Sequence, residues 1–105
     1  MTVTLHTEAE VGRAWAVLDD LYAELPHNPL VAGARAAAEW TTGRIGTSPI
    51  TSIVQPPTGD ALAMEGPFAD MVAMGLRPGD REFAAGVTAW MFWFVGLEPL
   101  PRWLR

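Results

Sequence analysis

Carboxylates and two histidines are the groups in this chain best suited to acid–base or metal chemistry, and their spacing argues against both uses. His6 and His27 could join Glu8, Glu10 or Asp20 in an imidazole–carboxylate site, but no spacing among them matches a ligand motif. Both are expected to be solvated at helix boundaries, with His27 placed to meet the partial negative charge at the end of the first helix. Asp19 and Asp20 are adjacent, and neighbours on a helix point about 100° apart, too divergent to share a proton. Glu24, Glu39, Glu65, Asp70 and Glu82 have no predicted proximity and read as solvated faces. Nucleophiles are equally scarce: lysine and cysteine are absent, Tyr22 is the one tyrosine, and the serines are Ser48 and Ser52. No nucleophile, base and orienting group can be assembled from that set. The expectation is therefore a non-enzyme, with no catalytic residue, no metal and no cofactor.

Gly43-Arg-Ile-Gly-Thr-Ser48 has the composition of an anion cradle, since glycines admit backbone amides to a phosphate and Arg44 adds donors. It lacks the GK[ST] ending of a phosphate-binding loop and follows a helix instead of preceding one, so it reads as a capped turn.

The dominant feature is apolar. Fifteen consecutive residues from Phe83 to Leu97 carry no charge and include Trp90, Met91, Phe92, Trp93 and Phe94. A helix apolar on every side must be surrounded, and fifteen residues fall short of the roughly 20 that span a bilayer. A central core helix is expected. Because Trp90 to Phe94 cover the whole circumference, Trp90, Phe92, Trp93 and Phe94 are also candidates for an interface that buries the excess. Arg102, Trp103 and Leu104 form a second candidate, since Trp and Arg are enriched at binding hot spots and Pro99 and Pro101 stiffen the tail. The same tail could instead fold back over its own core.

These groups need elements to position them, and the helix signals are well punctuated. Thr7 and Glu10 have capping-box spacing, and Val11, Ala14, Trp15, Leu18, Leu21, Tyr22 and Leu25 form one stripe that stops at Pro26. Asn28-Pro29 starts a second helix ending near Thr42, with Gly43 as its left-handed cap. Its many alanines permit close approach, and the short connection predicts a helical hairpin. The β-prone run at 50–54 predicts an edge strand or an extended loop; as a lone strand it would have to pair with another copy or a partner. A helical turn over Asp60 to Glu65 is expected to break at Gly66-Pro67, restart, and end near Gly75 with Phe68, Met71 and Val72 inward. Asp80 caps the last helix, and residues 98–105 should be an extended tail. The fold class is all-α: a small bundle of about four helices with one extended loop, in one domain over residues 1–105.

Composition sets the remaining bounds. Half of the 105 residues are hydrophobic, enough for a packed core, and 12 acidic side chains against 7 arginines give a net charge of −5. That balance argues against nucleic acid and against an electrostatic membrane anchor. The first residues lack a basic and an apolar segment of secretory type, which makes the cytoplasm the expected location. Sixteen alanines and no lysine resemble translation of a high-GC genome, as in some bacteria and phages. The function expected is a non-catalytic interaction or assembly module, self-associating or docking on a protein partner through the aromatic helix and tail. The alternatives are an apolar small-molecule site among Trp15, Trp40, Trp90 and Trp93, or membrane association through residues 83–97.

Overall fold

Four helices follow from four N-terminal caps. The computed structural model describes Thr4 and residues 6–105. Helix α1 spans Glu8–Glu24, α2 Pro29–Thr41, α3 Gly59–Ala73 and α4 Arg81–Phe94. The Thr7 hydroxyl accepts from Glu10 N at 3.2 Å while Glu10 Oε1 accepts from Thr7 N at 3.1 Å, completing the predicted box. Asn28 Oδ1 accepts from Leu30 N and Val31 N, and Asp80 Oδ1 from Phe83 N at 3.0 Å. The cap of α3 is Thr58, whose hydroxyl accepts from Ala61 N at 3.2 Å, so that helix begins earlier than the sequence suggested. Gly43 and Gly75 both have φ +78° and close α2 and α3 with the left-handed residue that a C-terminal cap requires. The fold is all-α, and among the described residues no strand forms.

Helix α4 packs against both α2 and α3, and α1 packs against α2. The α2–α4 crossing is unusually close. A Cβ built on Gly33 would strike the Phe83 carbonyl, its carbonyl carbon 2.8 Å away; one on Gly86 would strike the Leu30 carbonyl and lie 2.8 Å from Ala34 N. With Ala34, Ala37 and Ala38 fully buried, small residues on α2 let the large ones on α4 sink inward. Trp90 is completely enclosed, and its indole N–H donates to Thr41 Oγ1 at 2.9 Å. Trp40 is also enclosed and donates to the Gln55 carbonyl at 2.9 Å. Both buried indoles thus have the partner that burial demands.

Two expectations need correction, and one alternative is decided. Helix α3 does not break at Gly66-Pro67; it runs through Pro67 without interruption. Gly66 has no Cβ to meet the proline ring, and the exposed Ala63 and Pro67 leave the carbonyl that loses its helical donor at the surface. Of the two readings for residues 50–54, the loop is found and the strand is not. Thr47 and Val54 make an isolated antiparallel bridge across a turn, and Ser52 sits at φ +58°. The N–H groups of Ile50 and Thr51, which a strand would have offered to a neighbour, are taken by the Glu65 carboxylate. The tail is not extended throughout. Arg102–Leu104 form a single 3₁₀ turn that returns against α1 with Leu104 fully buried, because an apolar side chain gains more from that cover than from water.

Candidate functional site: an apolar groove between α3 and α4

The residues singled out for chemistry are mostly committed to the fold. Asp19 forms an ion pair with Arg35, which also donates to Glu39 Oε1 at 3.1 Å; the hydrogen bond that Arg35 donates to Asp19 raises the guanidinium pKa. Arg35 lies over Tyr22, its Cζ 4.5 Å from the ring centre, and Arg44 lies over Trp15 at 4.0 Å. These contacts knit α1 to α2 and the following loop. Arg44 follows the C-terminal cap of α2, where the helix end carries negative potential, so Gly43–Ser48 has the wrong polarity for an anion. Ser48 is buried, its hydroxyl accepting from Ile53 N at 3.1 Å and lying 2.8 Å from Thr51 Oγ1.

His27 is exposed, whereas His6 is not a solvated residue. Its ring stacks on Trp93 with centroids 4.2 Å apart, Nε2 lies 2.7 Å from the Trp93 carbonyl and Nδ1 3.4 Å from Glu10 Oε2. The Thr7 amide, then the Thr7 hydroxyl and then His6 hold the Glu10 carboxyl below its ordinary range. Among the described residues no three His, Asp or Glu side chains converge on a metal-sized site.

Glu65 escaped the sequence reading as anything but a solvated acid. It is 1% exposed. Oε1 accepts from Ile50 N at 2.6 Å and Thr51 N at 2.9 Å, and Oε2 accepts from Thr51 Oγ1 at 2.7 Å. The carboxylate therefore fastens the 48–53 turn to α3, a job for which buried, fully bonded acids are suited.

Beside Glu65, α3 buries Ala61, Leu62, Ala69 and Val72, yet some of its apolar side chains remain exposed. Met64 is 68% exposed and Met74 59%. On the flank facing α4, Gly59, Leu62, Ala63, Gly66 and Pro67 follow helical spacing and form one wall of a groove. Met91, Phe92 and Val95 of α4 form the other wall, and Leu97, 73% exposed, stands at the end. The groove has a volume of about 490 Å³. Its depth comes from Gly66, where a Cβ would lie 3.1 Å from Phe92 Cε1. A second, more polar recess of about 400 Å³ lies between His6, Trp15, Thr42 and Arg44.

The seven interface candidates now divide. Trp90, Trp93, Phe94 and Leu104 are buried within the chain itself, Trp90 meeting Trp93 edge-on with centroids 5.2 Å apart. Phe92 faces the groove, Trp103 is half-buried against the core and Arg102 is exposed. Trp40 and Trp90 are fully buried and line neither of these recesses, while Trp15 lies beneath Arg35 and Arg44 and borders the second. Among the described residues no helix is long and apolar enough to cross a membrane. No protein-family pattern, curated protein or solved structure matches the chain. The groove could bury apolar side chains of a ligand; it presents no group placed for bond-making chemistry.

Proposed function

We propose that the protein is a non-catalytic interaction module that docks another polypeptide on the face formed by α3 and α4. The observation that carries this reading is the apolar groove between α3 and α4, with Met64 on α3, Met74 at its C-cap and Leu97 all exposed. Methionines adapt well to varied partners. Exposed apolar side chains next to a groove are the usual mark of a binding surface. Phe92 is the member of the aromatic block left to serve as an anchor there, flanked by Leu97.

A photo-crosslinking residue placed at Ala63 or Leu97, both exposed, tests the proposal in a cell that makes the natural partner. Discrete crosslinked species from these positions, and none from the exposed Ala16 on α1, are expected. The same products from all three positions, or none from any, would refute it. A second reading rests on the groove's size, since about 490 Å³ also suits an apolar small molecule. Saturable binding of a hydrophobic fluorophore that Ala63→Trp abolishes, without any crosslinked protein, would favour that reading.

A further inference from the structure

The charged residues next in sequence to the groove's lining are acidic, while Arg77 lies over Phe68 of α3, its Cζ 5.0 Å from the ring centre. No basic residue occurs between Arg44 and Arg77, a stretch that contains all of α3 and carries Asp60, Glu65 and Asp70. From Phe83 to Pro101 the one charge is Glu98. With Glu65 buried, the carboxylates left near the groove are Asp60, Asp70 and Glu98. Asp60 is exposed and adjoins Gly59 at one end; Glu98 is exposed and adjoins Leu97 at the other. Asp70 continues the Ala63–Pro67 stripe by one further turn.

One backbone feature adds to this. Pro67 has no N–H, so the Ala63 carbonyl on the groove wall has lost its helical donor and is available to an incoming one.

Resting on the docking reading above, we propose that the groove's occupant is a basic amphipathic segment of another protein, with apolar anchors for the Phe92–Leu97 wall and Lys or Arg beside them for Asp60, Asp70 and Glu98. A second copy of this chain fits less well. Pairing the same face with itself would bring two sets of carboxylates together with no cation from either α3.

The test uses the full chain and three labelled synthetic helical peptides, followed by fluorescence anisotropy. One has leucines at i, i+3, i+4 and i+7 with lysines elsewhere, one replaces the lysines with glutamates, and one replaces the leucines with serines. The leucine–lysine peptide should bind, weaken with added salt, and lose about tenfold in affinity to the D60N/D70N/E98Q variant, as three rim charges allow. The serine–lysine peptide should bind at least tenfold more weakly, and Ala63→Trp, which fills the groove from an exposed position, should abolish binding. Equal or tighter binding of the leucine–glutamate peptide, still blocked by Ala63→Trp, would overturn the charge proposal and leave the docking surface intact. Binding of the leucine–lysine peptide that Ala63→Trp does not change would overturn both, as would failure of every peptide to bind. Light scattering that shows a dimer dissolved by Ala63→Trp would replace the basic segment with a second copy.

Discussion

Replacing Glu65 separates the worth of its accepting geometry from the worth of its charge. Glu65→Ala strands the Ile50 and Thr51 N–H groups, held at 2.6 and 2.9 Å, while the Thr51 hydroxyl keeps Ser48 Oγ at 2.8 Å. An unsatisfied donor costs about 1–3 kcal/mol when buried, and Ile50 and Thr51 are only half-buried, so partial rehydration brings the expected loss to about 3 kcal/mol. Glu65→Gln keeps an oxygen for both amides. Its new N–H can donate to Thr51 Oγ1, whose own hydrogen then turns to Ser48. What is lost is charge assistance, offset in part because a neutral amide is easier to bury, and about 1 kcal/mol is expected. Urea unfolding followed by tryptophan fluorescence gives both values, and amide exchange at Ile50 and Thr51 should rise in the alanine variant while α2 stays protected. A Glu65→Ala protein within 0.5 kcal/mol of the parent would refute the reasoning. So would a Glu65→Gln protein as unstable as Glu65→Ala, because geometry would then count for nothing.

Other substitutions probe separate links. Gly86→Ala should destabilise by about 1–3 kcal/mol despite alanine's better helix propensity, since its Cβ would collide with the backbone of Leu30 and Ala34; Gly12→Ala, facing open space, should stabilise by about 0.5–1 kcal/mol. Thermal melts of the two variants should therefore move in opposite directions. Leu104→Ala should cost about 2–5 kcal/mol if the tail is part of the core, and a melt unchanged within 1 °C would show that it is not. Because Glu10 has a lowered pKa in the folded state, its contribution is present above the ordinary carboxylate range and is lost as pH falls through the lowered value. Stability measured from pH 6 to pH 2 should accordingly fall less steeply for Glu10→Gln than for the parent.

What was legible in the sequence was local. Thr7, Asn28 and Asp80 announce their helices because each cap bonds a residue two or three positions on, and Gly43 and Gly75 end theirs for a reason contained in one residue's φ. The aromatic block reads as a core helix and is one: Gly33 and the α2 alanines create the room that hides Trp90, Trp93 and Phe94, while Phe92 faces the groove. Glu65 was misread because its partners are backbone amides 14 and 15 residues earlier, which no side-chain pattern encodes. Pro67 reads as a breaker because the rule considers the ring and not Gly66 before it, and the groove leaves no mark in the sequence because it exists only once α3 continues through that proline. His6 found Trp93 across 87 positions, beyond any periodicity.

The Gly33–Gly86 crossing also decides where the molecule can yield. At that crossing α2 and α4 meet backbone to backbone, so neither can slide or tilt without atoms colliding or a gap opening. Helix α3 rests on α4 through the side chains of Met91 and Phe92, which can change rotamer. The pair α2–α4 therefore acts as a stiff chassis and α3 as the compliant wall. A guest that widens the groove should displace α3 while the crossing keeps its spacing, and amide exchange should be faster along α3 than along α2 or α4.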